Sequence, residues 1–272
     1  MTTALITGPT AGIGRAFADA LARKGLDLVL VARDGDRLAA TAAELTERYG
    51  VRCEVLVADL SVRADVDAVA AVLAERRIAV LVNNAGFGLN QPFEASSIAA
   101  EQELLDVLVT AVMRLSHAAV PGMIDRGFGL IVNVGSIAAW LPAGTYSAAK
   151  AWVTTFTESL SASLAGTGVR AVAAAPGFTR SQFHERAGID VRSTPPWLWL
   201  EADHVAAAAF RDAAAGRPVS VAGAVYRVLA IPLRYGPRRL SRLATGARDR
   251  TRRARPSRAA APGPPDRRPP AR

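Results

Sequence analysis

Apolar runs rich in β-branched residues alternate along this chain with segments of helical periodicity, and this alternation restricts the possible folds most strongly. Runs that are apolar at nearly every position suit strands buried on both faces, as in parallel sheets covered by helices. The order of strands and helices predicts an α/β fold with a doubly wound parallel sheet. The predicted strands are Ala4–Thr7, Leu28–Ala32, Glu54–Ala58, Val80–Asn83, Leu130–Val134 and Val169–Ala175.

Length and composition fit one folded domain inside a cell. With 272 residues, half of them hydrophobic, the chain can bury a large core. The single cysteine, Cys53, lies in an apolar run, so we expect a core position, no disulfide within the chain and a reducing, cytoplasmic location. A predicted strand starts at once at the N-terminus, so we expect no secretion leader. The apolar runs are far shorter than the roughly 20 residues of a membrane span, and we expect none.

The formal net charge of +9 is concentrated at the C-terminus. Residues 247–272 hold nine Arg, two Asp and six Pro, but no large apolar side chain. Such a segment buries too little apolar surface to offset the entropy lost on ordering, so we predict a folded domain at 1–242 and a disordered basic tail at 243–272. A solvated tail is the simpler interpretation, and accessory binding of nucleic acid or anionic membranes is the alternative.

A helix is predicted from Thr145 to Leu164, where apolar residues recur at helical spacing. Tyr146 and Lys150 stand four residues apart at its start, so their side chains can reach the same space. The histidines are isolated and lack the spacing of metal ligands, so we predict no metal site. They are His117, His184 and His204.

A glycine-rich turn follows the first predicted strand directly and opens a helix. It contains Gly8, Gly12 and Gly14. Glycines permit a tight turn and let the backbone approach a pyrophosphate, which the amides at the helix N-terminus can then bind. The turn therefore indicates a nucleotide-binding site.

These motifs together resemble those of the short-chain dehydrogenases/reductases. The turn reads Thr-Gly-x-x-x-Gly-Ile-Gly from Thr7, and the later helix carries Tyr-x-x-x-Lys from Tyr146. Three further motifs of the family follow the third, fourth and sixth predicted strands in the same order and spacing. They are Asp59-Leu60, Asn83-Asn84-Ala85-Gly86 and Pro176-Gly177-Phe178-Thr179. The resemblance covers residues 1 to about 235.

The resemblance implies a Rossmann-like domain that transfers a hydride between a nicotinamide cofactor and a small carbonyl or alcohol substrate, in a homo-oligomer. Tyr146 would be the general acid/base, Lys150 would bind the nicotinamide ribose and lower the pKa of Tyr146, and Ser136 would hydrogen-bond the substrate oxygen. The implied cofactor-binding residues are Gly8, Thr10, Gly12, Ile13, Gly14, Arg33, Asp59, Leu60, Asn83, Ala85, Gly86, Tyr146, Lys150, Pro176, Gly177 and Thr179.

The end of the second predicted strand favours NADP(H) over NAD(H). An acidic residue there would bind the adenosine ribose hydroxyls and repel a 2′-phosphate. This chain instead reads Ala32-Arg33, which offers space and a cation. The alternative is that Arg33 is a solvated loop charge.

Two departures from the family support an alternative function. Leu108 stands where the family usually has an Asn that helps to hold a proton-relaying water, and a leucine cannot hydrogen-bond water. The loop between Ser136 and Tyr146 is a few residues shorter than usual, which would bring Trp140 into or over the pocket. The alternative is a catalytically impaired sensor or scaffold that keeps the nucleotide-binding fold.

The segment from Gly177 to Asp203 occupies the position of the substrate loop in the family. It is rich in aromatic and apolar residues, among them Phe178, Phe183 and the run Pro195 to Leu200. An apolar lid would suit a hydrophobic carbonyl or alcohol. Burial of these side chains in the core or in a subunit interface is an equal alternative.

Overall fold

The computed structural model describes residues 2–183, 188, 191 and 194–237. The proposed boundary at Arg242, the tail at 243–272 and His184 lie outside the described residues. A seven-stranded parallel sheet has the strand order β3-β2-β1-β4-β5-β6-β7, which confirms the predicted doubly wound α/β fold. The strands are β1 Thr3–Thr7, β2 Asp27–Ala32, β3 Cys53–Val57, β4 Ile78–Asn83, β5 Gly129–Val134, β6 Val169–Ala174 and β7 Val219–Ser220.

Helices cover both faces of this sheet. The helices are α1 Gly12–Arg23, α2 Gly35–Tyr49, α3 Arg63–Glu75, α4 Ile98–Leu105, α5 Ala111–Asp125, α6 Gly144–Ser163, α7 Ala202–Ala214 and α8 Ala224–Tyr235. One face is covered by α1, α2 and α7, and the other by α3, α4, α5 and α6. A π-helical segment, Asp106–Thr110, joins α4 to α5.

Two hydrophobic cores lie on opposite faces of the sheet. Neighbouring residues of one strand belong to different cores: Leu5 and Ile131 pack in one core, while Ile6 and Val132 pack in the other. Side chains alternate between the faces of a strand, so a strand covered on both faces must be apolar at every position. This alternation explains the continuous apolar runs in the sequence.

Two predictions of burial are wrong, one for the third strand and one for Cys53. The run Glu54–Ala58 is not buried on both faces, because β3 is an edge strand and Val57 is exposed. Cys53, at the start of the same strand, is only half-buried against the core. The short strand β7 was not predicted, because two residues are too few to produce a hydrophobic pattern.

The continuous helix formed by α4, the π segment and α5 spans Ile98–Asp125. Its length and mean hydropathy of 1.5 would allow it to cross a membrane, and it alone meets both criteria within the described part of the chain. Four of its large apolar side chains are nevertheless buried in the core against the sheet: Leu104, Leu108, Leu115 and Met123. Core packing therefore accounts for part of its hydropathy.

Removal of residues 243–272 should leave the melting temperature within about 2 °C of the full chain, because a change of about 1 kcal/mol shifts Tm by only 2–4 °C in a domain of this size. The reason is compositional, since the last 26 residues offer no large apolar side chain for burial. Differential scanning calorimetry of both proteins makes the comparison. A Tm lowered by more than about 5 °C would show that the tail packs on the domain.

Candidate active site

The glycine-rich turn is held between the ends of β1, β2 and β4. The Gly8 amide donates to the carbonyl oxygen of Val31 at 2.8 Å. The Asn84 side-chain amide donates to the carbonyl oxygens of Thr7 at 3.0 Å and Gly8 at 2.9 Å. The Thr7 hydroxyl in turn accepts from the backbone amides of Asn84 and Ala85, each at 3.0 Å. These bonds fix the turn at the carboxyl edge of the sheet, where doubly wound folds bind nucleotides.

Glycine is required at two points of this turn. Gly8 has a positive φ of 67°. A Cβ on Gly14 would lie 2.1 Å from the Gly8 carbonyl oxygen, so no other residue fits where α1 crosses the turn. The residue preceding α1, Ala11, supplies no side-chain cap, which leaves the first amides of the helix available to an anion. Thr10 and Ile13 flank this helix start and are partly buried.

The chain that follows β6 closes against the same turn. A Cβ on Gly12 would lie 2.6 Å from the Ser181 Cβ, so these two segments are in close contact. Thr179 is buried, and its hydroxyl donates to the carbonyl oxygen of Gly177 at 3.1 Å. The contact with the turn is thus made by Ser181, two residues after the motif that ends at Thr179. Sequence reasoning missed Ser181.

The side chain of Asn83 belongs to the core and not to the nucleotide turn. Its amide nitrogen donates to the Ser116 hydroxyl at 3.2 Å and to the Asn133 side-chain oxygen at 2.9 Å. Asn133 then donates to the Thr157 hydroxyl at 2.9 Å, which links β4, β5, α5 and α6. The neighbouring Asn84, absent from the predicted set, is the residue whose side chain contacts the turn.

Arg33 lies at the end of β2 with its side chain 61% exposed. Its guanidinium is 3.6 Å from an Asp59 oxygen and 3.5 Å from a Glu103 oxygen. Burial opposes ionisation of Asp59, but hydrogen bonds from Ser61 and the charge of Arg33 outweigh it and lower the pKa of Asp59. Leu60, by contrast, packs its side chain in the core.

Ser136, Tyr146 and Lys150 come together where β5 ends and α6 begins. The Ser136 hydroxyl lies near that of Tyr146, whose pKa it acts to lower, and the Ser136 oxygen accepts from the Ala138 amide at 3.1 Å. The Lys150 Nζ donates to the carbonyl oxygen of Val134 at 2.7 Å and lies 5.8 Å from the centre of the Tyr146 ring. The short loop thus still brings Ser136 to Tyr146.

Burial determines the pKa values of this cluster. It raises the pKa of Tyr146 to about 12, although the nearby Ser136 hydroxyl acts in the opposite direction. It lowers the pKa of Lys150 to about 8, so the ammonium remains the main form at neutral pH. The expected lowering of the Tyr146 pKa by Lys150 is therefore not found in the protein alone, because desolvation of the phenolate is the larger effect.

Gly86 makes space between Leu108 and Lys150. A Cβ at Gly86 would lie 3.4 Å from the Leu108 Cδ1 and 3.8 Å from the Lys150 Nζ. Leu108 is fully buried in the π segment, so an apolar side chain lies beside the amine of the site. This arrangement contributes to the dry surroundings that lower the pKa of Lys150.

One aromatic side chain, Phe183, borders the site, and a second aromatic pair lies in the segment after β6. The Phe183 ring centre is 5.6 Å from that of Tyr146, and the Phe178 ring centre is 5.9 Å from that of Trp199. Trp140 instead lies beside α8, where the Arg234 guanidinium is 6.0 Å from its ring centre. Phe183 is therefore the aromatic neighbour of Tyr146.

Tyr226 of α8 anchors the segment after β6. Its hydroxyl accepts from the Phe178 amide at 3.0 Å and donates to the Leu198 carbonyl oxygen at 2.6 Å. A Cβ on Gly177 would lie 2.1 Å from its ring, so the two residues fit only because position 177 is glycine. Tyr226 is a further residue that sequence reasoning missed, and no local motif marks it.

No metal site accompanies this cluster within the described residues, where no group of three or more His, Cys, Asp or Glu side chains could hold an ion. His117 and His204 are both exposed and lie on α5 and α7. Neither is grouped with the side chains of the candidate site.

The family model for short chain dehydrogenases matches residues 2–191. The chain belongs to the short-chain dehydrogenase family. It is 37% identical over 232 residues to sulfoacetaldehyde reductase 2 of Chromohalobacter salexigens, covering 80% of this chain and 90% of that protein. It is 35% identical to the very-long-chain 3-oxoacyl-CoA reductase of Anas platyrhynchos over 61% of this chain, and spans only 56% of that reductase.

Among solved structures, the chain resembles a short-chain dehydrogenase from Sphingobium yanoikuyae in complex with NADPH. The two chains are 35% identical, with a TM-score of 0.77, covering 96% of this chain and 99% of the other. These similarities confirm the predicted family. The chain thus belongs to a family of oxidoreductases that transfer a hydride with NAD(P)H and act on small molecules.

Proposed function

We propose that the protein is an NADP(H)-dependent reductase or dehydrogenase that interconverts a hydrophobic carbonyl compound and its alcohol. The observation that carries this proposal is the grouping of Ser136, Tyr146 and Lys150 at the carboxyl edge of the sheet, the edge that also holds the glycine-rich turn. A hydroxyl pair next to a buried amine is a proton-donating site, and such a site completes a reaction in which the cofactor supplies only a hydride.

The residues of the turn fit a dinucleotide. Gly8 and Gly14 have no side chain where a pyrophosphate would approach the backbone. The first amides of α1, which has no side-chain cap, would bind the negative charge of the pyrophosphate. Arg33, at the adjoining strand end, would pair with a 2′-phosphate in the space that Ala32 leaves open. Bound NADPH would supply the hydride.

The cluster provides the proton. The Tyr146 hydroxyl would donate it to the substrate oxygen, so that hydride and proton together convert the carbonyl into an alcohol. Ser136 would orient that oxygen by a hydrogen bond. Lys150, held by the Val134 carbonyl, keeps its ammonium 5.8 Å from the Tyr146 ring and would stabilise the phenolate formed during turnover.

The substrate side is apolar. Phe183 next to Tyr146, and Phe178 next to Trp199, present aromatic rings where the segment after β6 approaches the site. These rings favour a long or bulky apolar carbonyl compound over a small charged aldehyde. Of the two substrate types in the relatives' names, an oxoacyl chain fits these surroundings better than sulfoacetaldehyde.

The decisive test is a panel of aldehydes and ketones of increasing apolar size, followed by the loss of NADPH absorbance. We expect turnover that improves with apolar size. A protein that binds NADPH but reduces none of the panel, and oxidises none of the matching alcohols, would instead be the sensor or scaffold that Leu108 suggests.

A homo-oligomer in the cytoplasm is part of the proposal. An apolar groove of about 230 Å³ runs between α5 and α6, where it offers a surface for a second subunit. It is lined by Met113, Ser116, His117, Val120, Pro121, Phe156 and Leu160.

Leu108→Asn should raise kcat severalfold and leave the affinity for NADPH unchanged. An amide beside Lys150 can hold a water and assist proton delivery, a step that follows binding and belongs to a class of effects worth roughly 10²–10⁴-fold in total. Because the site is fully buried, the same change should cost about 1–3 kcal/mol of stability. Steady-state kinetics, calorimetric titration with NADPH and a melting curve measure these effects. A folded variant whose kcat is unchanged or lower would show that Leu108 does not limit proton supply.

A further inference from the structure

The solvent-facing side of α8 is apolar. Tyr226 and Ala230 turn inward, while Val228 is 67%, Ile231 60% and Tyr235 74% exposed. At about 100° per residue, the exposed apolar positions cover nearly half of the helix circumference. They are Ala224, Val225, Val228, Leu229, Ile231, Pro232 and Tyr235. An exposed apolar face of this kind marks an interaction surface.

The chain that continues from this helix is strongly basic. Residues 236–272 contain twelve Arg and two Asp, whereas residues 1–235 contain 21 basic and 22 acidic side chains. The net positive charge of the protein therefore comes from the segment that directly follows the apolar face of α8. A helix with an aliphatic face next to a cluster of arginines is the combination that binds the surface of anionic membranes.

Other occupants of the face fit less well. The composition of the following segment does not suit it to cover this face, because its only large apolar residues are Leu240 and Leu243. A nucleic acid would engage the arginines but would leave the aliphatic side chains in water. A second copy of the chain would cover the aliphatic side chains but would bring two basic segments together, which repel each other.

We propose that the exposed face of α8 and the basic segment after it bind the surface of anionic lipid membranes. The aliphatic side chains would enter the boundary between headgroups and acyl chains, and the arginines would pair with the anionic headgroups.

This position would place the candidate active site next to the lipid. α8 is fixed to the substrate side of the domain through Tyr226, which bonds Phe178 and Leu198, and through Arg234, which pairs with Glu158. Trp197, adjacent to Leu198, is exposed as well, and tryptophan favours the membrane interface. A hydrophobic substrate dissolved in the membrane could then reach the site without crossing water.

The test is sedimentation of the full-length protein with vesicles. One set consists of phosphatidylcholine alone and the other contains about one-third phosphatidylglycerol. The wild-type protein should sediment with the anionic set and stay in solution with the neutral set. The double variant Val228→Asp/Ile231→Asp should bind the anionic vesicles at least about tenfold more weakly than the wild type, because both aspartates face the lipid. Ile98→Asp, at an equally exposed aliphatic position of α4, should bind like the wild type.

A wild-type protein that stays in solution with both vesicle sets would overturn the proposal. So would a double variant that binds as tightly as the wild type, because the arginines would then act alone, as on any polyanion. A double variant whose mass by light scattering is half that of the wild type would also overturn it, because the face would then join two subunits. An unchanged melting temperature and NADPH affinity establish that the variants are folded, independently of turnover.

Discussion

Tyr146→Phe should abolish carbonyl reduction and leave NADPH binding intact. The substitution removes only the hydroxyl that lies near Ser136 and keeps the ring that packs against Phe183. Loss of the general acid should lower kcat by roughly 10²–10⁴-fold. Turnover of the best substrate and calorimetric titration with NADPH separate the two effects.

Tyr49→Phe is the matched control for this variant. It also deletes one phenolic hydroxyl, but that hydroxyl donates to Asp19 at 3.1 Å on the far side of α1. Its kcat should stay within about twofold of the wild type. Activity of Tyr146→Phe close to the wild-type level would require another proton donor and would remove Tyr146 from the catalytic site.

Arg33→Ala should weaken NADPH binding by about ten- to a hundredfold while leaving NADH binding nearly unchanged. One charge-assisted contact to the 2′-phosphate is worth about 1.5–3 kcal/mol, which corresponds to this factor. The loss also leaves Asp59 and Glu103 without their cation, so two carboxylates would then repel the phosphate. Titration of the wild-type protein and of Arg33→Ala with NADPH and with NADH gives the four affinities that this comparison needs.

Arg211→Ala serves as the control, because Arg211 is also 61% exposed and also lies near a carboxylate, that of Asp212 on α7. Its affinities for both cofactors should equal those of the wild type. If Arg33→Ala kept the wild-type affinity for NADPH, or if the wild-type protein bound NADH equally well, the assignment of NADP(H) would be wrong.

The sequence predicted those features that depend on short stretches of chain. Six strands were predicted from apolar runs, and five of them, all except the edge strand β3, are continuously apolar because helices cover both of their faces, as at Leu5 and Ile6. The approach of Tyr146 to Lys150 follows from helix geometry alone. Gly14 could be assigned to the nucleotide turn because the turn directly follows β1.

The features that sequence reasoning missed depend on contacts between distant segments. The end of β4 at Asn83 was predicted correctly, but the partners of the Asn83 and Asn84 side chains lie in other segments, so the sequence did not indicate which of the two contacts the turn. Tyr226 reaches Gly177 from 49 residues further along the chain. The exposure of β3 depends on its place at the edge of the sheet, which a single run of apolar residues does not indicate.

The pKa values of Tyr146 and Lys150 could not be predicted from the sequence either. The spacing of Tyr146 and Lys150 predicts attraction between an ammonium and a phenolate, but both groups are desolvated by their surroundings. The balance between the two effects depends on side chains from other elements, such as Leu108 in the π segment. Only the folded arrangement reveals which effect is larger.

Transfer of a deuteride from reduced NADP to the carbinol carbon of the product tests the central proposal most directly. The wild-type protein is supplied with NADPH labelled at the transferable position and with the best substrate of the panel, and the product is analysed by mass spectrometry. We expect one deuterium per product molecule, formed by the wild type and not by Tyr146→Phe. Labelled product formed equally by both proteins, or no labelled product from a wild-type protein that binds NADPH, would contradict the proposed function.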